Sequence, residues 1–101
     1  MLLYNVTIKI AKEVETEWLQ WMKSSHVPDV IHTGQFAGSR ISRLMDQPDE
    51  EDPTYVIQYE CESIETFNYY IDTYAAALRE EFAQRYKDKF VAFRTLMEVV
   101  G

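Results

Sequence analysis

The feature of this chain that most restricts its fold is the repeated change of hydrophobic period along the sequence. Alternating apolar residues are typical of a strand, and apolar residues three or four apart are typical of a helix. The two periods replace one another four times, and a turn-rich segment divides one alternating stretch into two strands, which predicts the order β-α-β-β-α-β. The predicted elements are strand 2–10, helix 12–25, strand 36–45, strand 55–61, a helix from an N-cap at Ser63 to about Tyr86, and strand 90–100.

A proline marks the end of the first predicted helix. Pro28 disfavours helical angles at the residue before it, Val27, so we expect the helix to stop or bend near His26. Pro28 is then suited to begin a short helical turn, because its missing N–H has no partner in a first turn. Gly34 is suited to end that turn in the left-handed conformation.

This order of elements predicts an α+β fold of the ferredoxin-like βαββαβ type. Residues 1–101 would form a single domain, in which a four-stranded antiparallel sheet carries two helices on one face. The expected strand order is fourth, first, third, second. Both faces of the first and last strands carry large apolar residues, and those on the uncovered face would be exposed in a monomer. We therefore expect a homodimer that packs two sheets face to face as a dimeric α+β barrel. The residues expected on that interface include Leu3, Val56, Phe90 and Leu96.

Composition excludes several classes of function. The formal net charge of -7 argues against binding to nucleic acid or to an anionic membrane surface. The single cysteine, Cys61, excludes a disulfide scaffold and lies in an apolar alternation, so it is interpreted as a small buried hydrophobe. The N-terminus alternates like a strand and lacks the pattern of a signal peptide, which favours a cytoplasmic protein. With three glycines and no Gly-rich phosphate loop, the chain predicts no cofactor.

Two segments carry a family resemblance. WLQWMKSSHVPDVIHTGQF and the ending DKFVAFRTLMEVV resemble an uncharacterised family of small bacterial proteins with the dimeric α+β barrel fold. That superfamily includes cofactor-free monooxygenases, muconolactone isomerases and haem-dependent enzymes. The resemblance implies a homodimeric barrel that binds a small organic molecule or acts through association. The alternative it implies is a small cofactor-independent enzyme of the monooxygenase or isomerase type.

Polar residues on the strands are the first candidates for a site. If Tyr4 faces the helices, neighbouring polar side chains point into the barrel, where unpaired polar groups are costly. They could form a satisfied network, Arg94 with Glu98 or Glu60, that fixes the register of the dimer. They could instead line a cavity and orient a small ligand. The candidate ligand-binding residues are Asn5, Arg40, Gln58, Glu60 and Arg94.

His26 is the candidate catalytic residue. A histidine at a helix end titrates near neutrality and is suited to act as an acid or base. The structural alternative is that it caps the helix or packs on Trp18 or Trp21. His26 and His32 are six residues apart, which does not fit a metal-binding helix, so no metal site is predicted. A third candidate set is aromatic and is interpreted as core packing: Tyr55, Tyr59, Tyr69, Tyr70 and Tyr74.

Overall fold

The computed structural model describes the whole chain, Met1–Gly101. Its strands are β1 (Leu2–Ile10), β2 (Gly38–Arg43), β3 (Thr54–Cys61) and β4 (Phe90–Glu98). The first long helix, residues 15–32, consists of α1 (Glu15–Trp21), a π-helical segment (Met22–His26) and α2 (Val27–His32). The second long helix, residues 64–85, consists of α3 (Ile64–Tyr70), a π-helical segment (Ile71–Ala75) and α4 (Ala76–Arg85). No helix is both long and apolar enough to cross a membrane.

The sheet has the predicted topology. Its strand order is β2-β3-β1-β4, and every neighbouring pair is antiparallel. The central strand β1 pairs with both β3 and β4, so that Val6 lies between Ile57 and Arg94. This register assigns every strand residue to one of two faces, and the prediction of a ferredoxin-like fold is confirmed.

The helix-facing side of the sheet forms one wall of the core. Trp18, Ile8 and Ile57 are almost completely excluded from solvent there. A cluster of aromatic rings closes one end of this core, with Phe36 lying 4.8 Å from Tyr70 and 5.1 Å from Tyr59 between ring centroids. Cys61 is also buried. Burial of Tyr55, Tyr59 and Tyr70 confirms that these three belong to the core, whereas Tyr69 is exposed.

The predicted departure of Val27 from helical angles is wrong, and the first helix does not stop near His26. Residues 15–32 are helical without interruption, and Val27 has helical angles of φ -64 and ψ -44. The physical reason is the π-helical segment, in which the Val27 N–H donates to the Met22 carbonyl, five residues back. In an ordinary α-helix the Pro28 ring would clash with the carbonyl four residues before it, and the wider turn relieves that clash. The predicted stop at Gly34 is confirmed by its φ of 81.

The second long helix begins as predicted. Ser63 is extended, and its hydroxyl accepts a hydrogen bond from the Thr66 N–H at 3.2 Å, as an N-cap residue does. The helix ends at Arg85, one residue before the predicted boundary. Inside it, Ala75 and Phe82 are buried against the sheet, so the helix covers the same face as the first one.

The other face of the sheet carries no helix, and we call it the open sheet face. Three large apolar residues of β4 lie on it, with exposed fractions of 71% for Val91, 61% for Phe93 and 45% for Met97. Phe90 and Leu96 were expected there, but the register places both on the helix-facing side, where Phe90 packs 4.6 Å from Phe82. The full open sheet face consists of Leu3, Asn5, Thr7, Lys9, Gly38, Arg40, Ser42, Thr54, Val56, Gln58, Glu60, Val91, Phe93, Thr95 and Met97.

Candidate functional site

A cavity lies between the helix-facing side of the sheet and the two long helices. It encloses about 40 Å³, enough for about three water molecules. Its wall is mainly apolar, with a histidine and two arginines as the ionisable groups apart from tyrosines. The lining residues are Tyr4, Val6, Ile8, Met22, His26, Val30, Ile57, Tyr59, Tyr70, Leu78, Arg79, Phe82, Phe90, Ala92 and Arg94.

The π-helical segment brings His26 to this cavity. The segment begins at Met22 and ends at His26, and both residues line the wall. The imidazole packs against two rings, 5.1 Å from Trp21 and 5.4 Å from Phe82 between centroids. Packing on Trp21 is one of the two structural roles expected for this histidine. Single π-turns of this kind occur frequently at functional sites, because they re-aim side chains without ending the helix.

His26 is held in its neutral form. Its pKa is lowered from 6.5 to about 4: burial is the largest cause, the carboxylate of Asp29 opposes it, and the cation of Arg94 adds to it. Its Nδ1 atom is buried and has no hydrogen-bond partner in the chain. A neutral imidazole has one donor and one acceptor nitrogen, so the chain leaves one hydrogen-bonding atom of a cavity-lining residue unsatisfied. No cluster of three or more His, Cys, Asp or Glu side chains is placed to hold a metal ion.

Two arginines supply the positive charge of the cavity. Arg79 is half-buried on α4, and its Nη2 donates to the Tyr4 hydroxyl at 2.9 Å. Arg94 lies on β4, lines the cavity and is more exposed than Arg79. Burial raises the pKa of Tyr70 to about 12, while both arginines oppose that rise. The two guanidinium groups therefore act on the same small region of the cavity.

The predicted ligand-binding residues divide between the two faces of the sheet. Asn5, Arg40, Gln58 and Glu60 lie together on the open sheet face. There the Gln58 side-chain amide donates to Asn5 Oδ1 at 2.9 Å, and Asn5 is only 4% exposed. Whether any of them binds a ligand stays a prediction.

Arg94 was expected beside Asn5 and Gln58, and its placement on that face is wrong. Its pairing with Val6 puts it on the helix-facing side, and Glu98 shares that side through its pairing with Leu2. Arg94 forms no ion pair with Glu98 or Glu60. The reason for the error is that β4 is apolar on both faces, so its sequence does not show which face is buried.

Arg79 is the cavity residue that sequence reasoning missed. It is not among the candidate residues named from the sequence, yet it lines the cavity and donates a hydrogen bond to Tyr4. Its spacing carried a usable signal, because it lies four residues after the buried Ala75 and three before the buried Phe82. Residues at these spacings share one helical face.

Solved structures similar to this one have the same fold at low sequence identity. An ethyl tert-butyl ether d (EthD) family protein from Bacillus halodurans matches with a TM-score of 0.73 and 11% identity, over 98% of this chain and 100% of that chain. A dimeric ferredoxin-like protein from an uncultured marine organism matches with a TM-score of 0.68 and 16% identity, over 100% and 96%. SnoaB, a cofactor-independent oxygenase from Streptomyces nogalater, matches with a TM-score of 0.65 and 13% identity, over 97% and 91%.

These likenesses establish the fold and leave the chemistry of the cavity open, because sequence identity is below 20% in each case. No curated protein matches the chain. A family model does match, and it covers residues 1–100, almost the whole sequence. The chain therefore belongs to the family described as Domain of unknown function (DUF4286).

Proposed function

We propose that this protein binds a small organic molecule in the cavity between its sheet and its two long helices. The observation that carries the proposal is the wall itself, an apolar surface interrupted by His26, Arg79 and Arg94. Ligand sites combine apolar walls with a few converging polar groups in this way. The enclosed volume of about 40 Å³ is small, so binding requires half-buried residues at the wall, such as Leu78, to move outward.

Blocking the cavity tests this function. Small aromatic and aliphatic molecules are screened by thermal shift, since a ligand that binds the native state raises the melting temperature. Ala92→Leu adds bulk inside the cavity, whereas Ala83→Leu adds the same bulk on the exposed side of α4. Hits should lose their stabilising effect in Ala92→Leu and keep it in Ala83→Leu. Hits that stabilise both variants equally would place binding elsewhere.

The second candidate function is a cofactor-independent reaction of the monooxygenase or isomerase type, with His26 as the base. A neutral imidazole accepts a proton, and His26 is neutral and has a buried nitrogen without a partner. If a hit compound is turned over, His26→Gln should abolish turnover and leave binding intact. Equal loss of binding and turnover would assign His26 to ligand positioning instead.

The acting unit in this proposal is a homodimer formed through the open sheet face. Apolar residues of that face, with Phe93 and Met97 exposed and Val56 half-buried, favour burial against a second copy. The cytoplasmic location expected from the sequence is part of the same proposal.

A further inference from the structure

The cavity of this acidic chain is lined by two arginines and by no acidic residue. The sequence has 17 Asp and Glu against 10 Lys and Arg. Arg43 and Arg85 each form an ion pair with a glutamate, and so do Lys9 and Lys89. Arg79 and Arg94 form none, and no aspartate or glutamate lines the cavity. The two guanidinium groups at the cavity wall are therefore not neutralised by an ion pair, and a negative charge from outside can pair with them.

Geometry brings the two charges to one place. Arg79 extends from α4 and Arg94 from β4, so they stand on two different walls. The hydrogen bond to the Tyr4 hydroxyl fixes the Arg79 side chain against the sheet. His26 lines the same cavity, and Arg94 is close enough to act electrostatically on it. The wall of one cavity therefore carries both guanidinium groups and the imidazole.

The rest of the wall sets the character of the ligand. Apart from these three groups the lining is aliphatic and aromatic, so the remainder of the ligand must be apolar to gain from burial. A cation would meet two uncompensated guanidinium charges. A planar carboxylate, by contrast, matches the fork geometry of a guanidinium group and accepts two parallel hydrogen bonds.

Resting on the proposed function, we propose that the ligand is a small organic carboxylate, with its apolar body in the cavity and its carboxylate held by Arg94 and Arg79. His26 supplies a neutral polar contact beside them. The selectivity resides in the arginines, and the apolar walls supply affinity without distinguishing charge.

Three probes of one shape test the inference: benzoate, benzamide and benzylammonium. Binding is followed by chemical-shift changes of backbone amides lining the cavity. Benzoate should bind at least about tenfold more tightly than benzamide, because a hydrogen bond to a charged group stabilises about that much. Benzylammonium should bind more weakly than benzamide.

Variants locate the selectivity. Arg94→Gln and Arg79→Gln should each weaken benzoate binding by about tenfold and leave benzamide binding unchanged. Lys87→Gln removes the same charge from an exposed position outside the cavity and should change neither. Arg79→Gln also loses the hydrogen bond to Tyr4. If that variant unfolds, Arg79→Lys and the variant at the more exposed position, Arg94→Gln, test the inference in its place.

The outcomes separate the two proposals. If benzoate and benzamide bind equally and both are displaced by Ala92→Leu, the cavity binds ligands but the assignment of a carboxylate is overturned. Benzoate binding that is unchanged in both arginine variants overturns it as well. If inorganic phosphate competes with benzoate at equal concentration, the site selects anions in general and the organic carboxylate is not its ligand. If no probe perturbs amides of the cavity, the proposed function and the inference both fail.

Discussion

At the scale of single residues, the cavity depends on one histidine that is kept uncharged. Three effects determine its protonation state: burial among rings disfavours the charged form, Asp29 favours it, and Arg94 disfavours it. The unsatisfied Nδ1 atom shows that the fold itself offers no compensating hydrogen bond. An uncompensated buried polar group reduces stability, so His26 is a residue that packing alone does not explain.

This state of His26 predicts a pH dependence of stability. Its pKa is about 4 in the folded chain, against 6.5 when exposed. The unfolded chain therefore takes up a proton first as the pH falls, and stability is lost between about pH 6.5 and pH 4. From pH 7.5 to pH 5.0 the wild type should lose about 2 kcal/mol more of its free energy of unfolding than His26→Gln.

Urea unfolding at the two pH values measures this difference. Asp29 and Arg94, the charged groups that face the imidazole, are present in both proteins and their direct effects on stability largely cancel in the comparison. Equal losses in the two proteins would mean that the imidazole titrates in the folded state as it does in water.

At the scale of elements, the strands were predictable and the first helix was only partly so. β1 was predicted with its observed bounds, because one of its faces is buried in the core and the alternation records that. The helix through Pro28 was missed, because the steric rule for proline assumes α-helical hydrogen bonds. A π-turn changes the spacing of those bonds, and nothing in the composition of Met22–His26 reveals it. The candidate site was affected by the same limits: His26 was named, Arg94 was placed on the wrong face, and Arg79 was not named.

The end of the first helix gives a prediction that belongs to this scale. Gly34 has a φ of 81, and a Cβ at this position would meet no atom within 4 Å, so a substitution is disfavoured by the backbone conformation and not by a clash. Gly34→Ala should therefore cost about 1–2 kcal/mol, the difference between left-handed Ala and left-handed Gly. Thermal or urea unfolding measures the loss.

Gly38 in β2 is the matched control for that substitution. A Cβ at Gly38 would lie 3.7 Å from the Glu60 carboxylate, an ordinary contact, and the backbone there is not left-handed. Gly38→Ala should leave stability unchanged or raise it slightly. A loss at Gly38 as large as that at Gly34 would show that the backbone conformation is not the cause.

At the scale of the whole molecule, one face of the sheet is covered by helices and the other has no cover within the chain. The open sheet face combines large apolar residues with both signs of charge, since Lys9 and Arg40 lie on it together with Glu60. A surface of that kind can pair with a copy of itself, because its cations can face the carboxylates of the partner in a two-fold arrangement. The sequence indicated that large apolar residues lie on both faces of the sheet. The register was needed to tell which residues face the helices and which lie on the open sheet face. That residues 1–101 form a single domain stays a prediction.

Dimerisation through the open sheet face predicts that a charge introduced at Phe93 separates the dimer into monomers. Phe93 is 61% exposed in the isolated chain, and a two-fold interface over this face would bury the Phe93 side chain of both copies. Phe93→Asp would place two desolvated carboxylates in that interface, which is costly. Sedimentation at micromolar concentration should give about twice 11.9 kDa for the wild type and the chain mass itself for Phe93→Asp. Met45→Asp, in the loop after β2 where the side chain is 91% exposed, should remain a dimer. A monomeric wild type, or a dimeric Phe93→Asp, would remove the open sheet face as the interface and leave the cavity on the other side of the sheet to be tested by itself.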